Sequence, residues 1–456
     1  MKLRKWQKEC SKKAIEHFTS GSKHFFCLAT PGAGKSVMAA DVAKSLLSLN
    51  LIDLILCFSP STNISVGLKD TLSNYLSASF NGYIGDLGAS YTYQSLPFFN
   101  KDFWSVLSTK RVLVIFDEIH HCAGQNESKS NVWGEEIITH IQDTAAYTLA
   151  LSGTPWRSDN LPITLAPYNT DQNTVSCNYI YGMSQAIRDD VCRVPNIILV
   201  DNENIQIQSN SQVIEAYSSL IPFVKDKGYS YRDILHNKEA ISYILNRGCQ
   251  ILNTIRKENP NAAGLVVASS INHAVIIKQL LIDKFHQSVV FVSHKDRDAQ
   301  HIINSFKHGS QKWIVSIGMI SEGTDIPRLQ VCCHLSNIKT ELYFRQVLGR
   351  VLRVNNSANK DAWLLTFNEE SLQKFANRIS QELPEHAPIC FFEKMPLISS
   401  KDKKSQILAS EQPNFSQEKE IRILFEEGTY SDFQKVDANF SILFLGKFSE
   451  QILDLY

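Results

Sequence analysis

The stretch CLATPGAGKS, residues 27–36, decides how the chain is read. It closes the apolar run HFFCLA (24–29) and opens SVMAADVAKSLLSL (36–49), so a strand passes into an amphipathic helix through a turn rich in glycine. Such a turn aims several backbone N–H groups and the positive end of the helix dipole at one point, where a phosphate would sit. Gly34-Lys35-Ser36 is the usual end of a phosphate-binding loop. Lys35 would reach the β and γ phosphates and Ser36 would hold Mg²⁺, while Thr30, Pro31, Gly32 and Ala33 form the rest of the cradle. The glycine that the common pattern places six residues before the lysine is Ala29 here, so an incidental glycine turn stays open as the alternative at this point.

Around this loop the chain repeats one theme. Short runs rich in β-branched residues alternate with amphipathic stretches, the pattern of βαβ units on parallel sheets, and the alternation occurs twice. The first set is HFFCLA, LILCF (54–58), RVLVIF (111–116) and YTLAL (147–151). The second is NIILV (196–200), GLVVAS (264–269), SVVFV (288–292), KWIVSI (312–317) and AWLLT (362–366). Residues 201–260, including SQVIEAYSSLIPFV, are expected to be a helical insertion, and the last 60 residues lose the βα rhythm. The domains expected are therefore 1–190, 191–370 with that insertion, and a C-terminal extension over 371–456.

Three further strand ends carry chemistry. Val112 to Phe116 run into Asp117-Glu118-Ile119-His120, which brings two carboxylates to the C-terminal edge of a parallel sheet. Asp117 would hold Mg²⁺ and Glu118 would deprotonate an attacking water, although a solvated strand end would read the same way. SGTP (152–155) follows another strand and suits closely packed loops. ISEGTDIP (320–327) places Gly323 and Asp325 at a third, where Asp325 could accept from a ribose hydroxyl. In ELYFRQVLGRVLR (341–353), Gln346, Arg350 and Arg353 fall on one helical face, as an arginine finger requires. A solvated basic face is the alternative.

Composition narrows the class. The 456 residues are 43% apolar and 20% charged, which indicates a globular protein of two to three domains. Forty-six basic residues balance 46 acidic ones, so any polyanion must be held locally. LIDLILCF (51–58) is too short to span a bilayer and no signal-length apolar run follows the basic N-terminus, so the chain reads as cytoplasmic, with no membrane partner. Ten scattered cysteines without a CxxC pair read as reduced, buried thiols.

In order, LRKWQ (3–7), ATPGAGKS (29–36), TYQS (92–95), DEIH (117–120), SGTPWR (152–157), EGTDIP (322–327) and QVLGRVLR (346–353) resemble the superfamily 2 helicases of the DEAD/DEAH type. The resemblance is closest to their restriction-subunit-like branch, with phage and repair helicases, and spans about residues 1–370. In that superfamily the loop reads AxxGxGK[ST], which accommodates Ala29.

The resemblance implies an α/β fold of two RecA-like domains with parallel sheets in tandem, ATP binding in the cleft between them, and Mg²⁺ as cofactor. It assigns Arg4 and Gln7 to reading adenine, with Trp6 a packing or stacking neighbour, and makes His120 the link to SGTP. Catalysis falls to Lys35, Asp117, Glu118, Gln346, Arg350 and Arg353. Nucleic-acid contacts fall to Ser59, Pro60, Ser61, Thr92, Gln94, Ser269, Ser270 and Thr324. The function expected is an ATP-dependent DNA helicase or translocase, by analogy serving a nuclease partner in phage defence, restriction or repair. A partner-gating switch, an RNA remodeller and a scaffold without turnover are the alternatives; intact Lys35, Glu118 and Arg353 argue against the last.

Overall fold

The computed structural model describes residues 2–124, 131–154, 161–169, 174–209, 212–226, 228–293, 295–296, 298–318, 324–355, 359–381, 389–393 and 440–454. The first lobe holds α1 (Lys5–Thr19), β1 (His24–Ala29), α2 (Lys35–Ser48), β2 (Leu54–Ser59), α3 (Thr62–Leu76), β3 (Gly88–Thr92), α4 (Lys101–Thr109), β4 (Val112–Phe116), α5 (Val132–His140) and β5 (Tyr147–Ser152). The short pair β6 (Tyr168–Asn169) and β7 (Thr174–Val175) follows, then β8 (Tyr179–Tyr181) and α6 (Met183–Arg188). Its sheet has six strands in the order β3-β2-β4-β5-β1-β8, every neighbouring pair parallel. All five residues of β4 are buried, as an apolar run flanked by helices on both faces requires.

The second lobe begins with β9 (Val194–Asn202), β10 (Ile205–Ser209), β11 (Gln212–Tyr217), α7 (Leu220–Lys225), α8 (Tyr231–His236) and α9 (Lys238–Glu258). It continues through β12 (Ala263–Ala268), α10 (Ile271–Asp283), β13 (Val289–Val292), α11 (Ala299–His308), β14 (Trp313–Ser316) and β15 (Leu329–Leu335). It ends with α12 (Glu341–Val351), β16 (Asp361–Phe367), α13 (Glu370–Gln381), β17 (Ile389–Glu393), β18 (Phe440–Phe444) and β19 (Phe448–Asp454). Eight strands lie in the order β13-β14-β12-β15-β16-β9-β19-β17.

Two differences from the expected fold arise here. The second sheet is mixed, because β19 pairs antiparallel with β9 and β17 with β19. The C-terminal chain thus covers what would otherwise be an open edge at β9. The helical reading of 201–260 holds from Leu220 onward, but β10 and β11 form an antiparallel pair, joined on the other side by β18. Ile205 and Ile207 alternate into the core, a period of two that the longer apolar run SQVIEAYSSLIPFV obscured. Nor is α9 peripheral: a Cβ on its Gly248 would stand 2.8 Å from Cys333 Sγ of β15. Further strands escaped the sequence reading, β3, β8 and β15 of the two large sheets among them. β15 is buried along all seven residues, yet Gln330, Cys332, Cys333 and His334 do not form a β-branched run; β3 and β8 are short.

No helix among the described residues is long and apolar enough to cross a membrane. Cys10, Cys27, Cys57, Cys192, Cys249, Cys332 and Cys333 are buried thiols.

Candidate functional site

Between β1 and α2 the chain turns through Gly32 at φ 83° and Gly34 at φ 91°, left-handed conformations that a side chain would strain. A Cβ on Gly34 would also stand 2.8 Å from Gln7 Nε2. The start of α1 braces this turn from outside. Arg4 Nη1 donates to Ala33 O (2.7 Å), Gln7 Nε2 donates to Gly34 O (2.9 Å), and Gln7 Oε1 accepts from Arg4 N (2.8 Å). Trp6 is a core residue, stacked on Tyr181 with ring centroids 4.7 Å apart. Thr30 and Ala33 of the loop are buried, whereas Pro31, Gly32, Gly34, Lys35 and Ser36 line the cleft.

Across the cleft floor, Lys35 Nζ lies 3.1 Å from Glu118 Oε1 and 3.3 Å from Ala29 O. Glu118 adopts φ 52°, a left-handed conformation rare for a residue with a Cβ. Its Oε2 accepts from Gly153 N (3.0 Å) and lies 3.4 Å from His120 Nδ1, which is 2.9 Å from Ser152 Oγ. The DEIH and SGT segments are thus joined through one carboxylate and one imidazole.

Asp117 is buried, and its Oδ1 has no hydrogen-bond partner among the described residues. Burial, reinforced by the charge of Glu118, pushes the Asp117 carboxyl above its usual range. Burial works on Glu118 in the same sense, but the Lys35 ammonium, His120 and the Gly153 amide outweigh it and hold Glu118 well below the usual range. Burial would lower Lys35, yet the two carboxylates raise it, so the buried ammonium stays charged.

The second lobe supplies the opposite wall. Gln346, Arg350 and Arg353 all line the same cavity of about 470 Å³ as the phosphate loop and the two acids. Arg350 Nη1 donates to Thr324 O (2.7 Å), and Arg353 Nη1 is ion-paired with Asp325 Oδ1. Lys307 Nζ stands 3.6 Å from the other oxygen of Asp325. The lobes touch at the loop itself: a Cβ on Gly32 would lie 3.1 Å from Arg353 Cγ, and one on Gly349 would lie 2.9 Å from Pro31 Cβ. Gly323 and Pro155 to Arg157 lie outside the described residues. Asn63, Ile64 and Gly67 of α3 and Val191 also line the cavity. No local pattern marks them; only packing brings them there.

The residues read as strand contacts are distributed along strand ends. Ser59 and Thr92 are register partners at the ends of β2 and β3, and Gln94 Nε2 donates to Pro60 O (3.0 Å). Ser59 is fully buried, Pro60 lines the nucleotide cleft, and Ser61 stands at the N-terminal cap position of α3. Thr92 Oγ1 lies 3.3 Å from Ser95 Oγ. In the second lobe, Ser269 Oγ is 2.8 Å from His273 Nδ1, Ser270 Oγ accepts from His273 N as the cap of α10, and Thr324 is buried.

Comparison with known proteins gives the following. Residues 1–157 match the family described as Type III restriction enzyme, res subunit, and residues 245–355 match the Helicase conserved C-terminal domain. An uncharacterized protein of Mycobacterium tuberculosis is 26% identical over 366 residues, covering 77% of this chain. The chain spans 59% of that relative's length. The DNA 3'-5' translocase XPB2 of Sulfurisphaera tokodaii is 22% identical over 386 residues, covering 80% of this chain and 81% of the translocase. Among solved structures, a fragment described as an HsdR subunit of a type I restriction enzyme from Vibrio vulnificus superimposes with a TM-score of 0.56 at 17% identity, covering 82% of this chain and 65% of the other. The ATP-dependent Type ISP restriction-modification enzyme LlaBIII bound to DNA gives 0.53 at 13% identity, covering 84% and 30%. With both halves of the helicase pattern matched in order along one sequence, the chain carries the domain pair of the superfamily 2 helicases, and its first part matches their Res-subunit branch.

Proposed function

We propose that the chain is a nucleic-acid-stimulated ATPase that moves along DNA, with domains at 1–190 and 191–370 and a C-terminal extension over 371–456. One observation carries this reading: a phosphate loop, two carboxylates and two arginines, drawn from both lobes, line one cavity of about 470 Å³. Neither lobe alone holds the full set, so ATP would favour closure and hydrolysis would reopen the cleft.

Within the cleft the charges pair off, Lys35 on Glu118 and Arg353 on Asp325. A triphosphate would take over both cations, Lys35 at its β and γ phosphates and Arg353 with Arg350 at the γ-phosphate. Glu118, released from Lys35, would then accept the proton of the attacking water. Asp325, released from Arg353, would be available to a ribose hydroxyl. Arg4 and Gln7, which already hold the loop carbonyls, would keep the loop amides facing the phosphates.

The unpartnered, buried Oδ1 of Asp117 and the neighbouring Ser36 hydroxyl fit a hard divalent cation, and Mg²⁺ held there would offset phosphate charge. The choice of DNA is supported by the similarity to the DNA 3'-5' translocase XPB2. Service to a nuclease partner in restriction or phage defence is supported by the Res-like match. The test is steady-state hydrolysis without polymer and with single-stranded DNA, duplex DNA or RNA, using Glu118→Gln as control. Strong stimulation by DNA is expected; hydrolysis that ignores every polymer would overturn the motor and favour a partner-gated switch.

A further inference from the structure

Arg193 stands at the junction of the lobes, immediately before β9, and is fully buried. Its hydrogen-bond partners among the described residues are all neutral. Nη1 donates to Leu329 O (2.7 Å) and Val351 O (3.0 Å), and Nη2 donates to Pro327 O (2.9 Å) and Asn355 Oδ1 (2.9 Å). Its backbone N–H donates to Leu352 O (2.8 Å), and the preceding Cys192 is bridged antiparallel to Arg353. Burial of the cation is costly enough to pull its pKa down to about 10.

The acceptors explain why a guanidinium is held there. Val351 and Leu352 supply carbonyls at the C-terminal end of α12, which lack helical partners and carry the negative end of the helix dipole. Pro327 and Leu329 follow Asp325 within four residues, while Val351, Leu352 and Asn355 bracket Arg353. A rigid fork of donors can fix two backbone segments relative to one another; an ammonium on a flexible stem cannot. Two residues upstream, Val191 lines the nucleotide cavity, so the same short linker joins the cleft to the base of Arg353.

We infer that Arg193 is a positioning residue for Arg353: by clamping the Asp325 segment to the end of α12, it presents the Arg353 guanidinium to the phosphate loop. The inference rests on the ATPase reading above, in which Arg353 acts at the γ-phosphate. A residue serving stability alone would alter melting and leave the turnover of folded protein intact.

The experiment compares the full chain as wild type, Arg193→Lys and Asn355→Ala. It reads melting temperature, kcat and KM for ATP, ADP affinity by displacement of a fluorescent nucleotide, and amide hydrogen exchange across 350–355. Arg193→Lys is expected to lower kcat by about 10- to 100-fold through misplacement of Arg353, with ADP affinity retained and faster exchange confined to 350–355. Wild-type kcat and exchange in folded Arg193→Lys would overturn the inference, whatever the melting temperature. Should Arg193→Lys fail to fold, Asn355→Ala decides, because it removes a single acceptor: a fall in kcat of about two- to fivefold with faster exchange over the same segment is expected, and no change in either overturns the proposal. Wild type that hydrolyses no ATP would sink the ATPase reading instead, and the exchange result would then decide the clamp by itself.

Discussion

Lys35 Nζ lies 3.1 Å from Glu118 Oε1, which makes the cation of the phosphate loop and the carboxylate after β4 each other's counter-ion. Each member of this pair is proposed to act on ATP only after leaving the other. Binding and chemistry therefore separate differently at its two ends.

Lys35→Ala should abolish hydrolysis and weaken ATP binding. Glu118→Gln should lower turnover by about 10²-fold or more, the scale of a lost general base, while ATP binding is retained because Lys35 is freed from a charged partner. Nucleotide titration alongside steady-state turnover checks both, and wild-type turnover in either variant would remove these residues from the site.

Arg353 is ion-paired to Asp325 and its Cγ packs over Gly32, so it crosses between the lobes at the loop itself. Arg353→Ala should reduce kcat by about 10³-fold, as loss of an arginine finger does, with ADP affinity little changed since ADP lacks the γ-phosphate. An equal loss of ADP affinity would instead assign Arg353 to ground-state binding.

Gly349 and Pro31 meet where α12 faces the phosphate loop, leaving no room for a side chain. Gly349→Val should hold the cleft open, raising KM for ATP and lowering kcat, while the melting temperature stays near that of wild type because no lobe core is altered. Kinetics together with calorimetry check this; unchanged kinetics would show that closure does not need that contact.

His273 and His334 predict an acid-sensitive second lobe. Burial lowers both to about 4 from an ordinary value near 6.5, with the neighbouring His236 adding to the effect at His273. Because the unfolded chain binds these protons first, it holds more of them between those two values, so stability is full above about pH 6.5 and falls as the pH drops toward 4. His334→Gln should flatten that slope. Denaturation midpoints measured across the range check it, and a variant with the wild-type slope would exclude His334 as a source.

Much of the site was legible because its signals are local. A run of five buried residues ending in Asp117-Glu118 reads as a strand delivering acids to a sheet edge, and Gly32 and Gly34 mark a turn that needs left-handed backbone. The spacing of Gln346, Arg350 and Arg353 on one helix face is likewise a property of the helix repeat. Where the strand reading fell short, partners distant in the chain had decided the outcome, as where β18 joins β10 and β19 joins β9. β11 looked helical, yet it pairs antiparallel with β10.

By itself, then, the sequence determined two βα series, the order of the helicase motifs and the residue types that each strand end presents, since periodicity and turn chemistry act over a few residues. Tertiary structure alone decided that β19 pairs antiparallel with β9, that Lys35 rests on Glu118, and that Arg193 clamps the end of α12 beneath Arg353. The physical reason is that each of these contacts joins residues from 83 to about 250 positions apart, and a contact across that distance leaves no repeat in the chain that makes it.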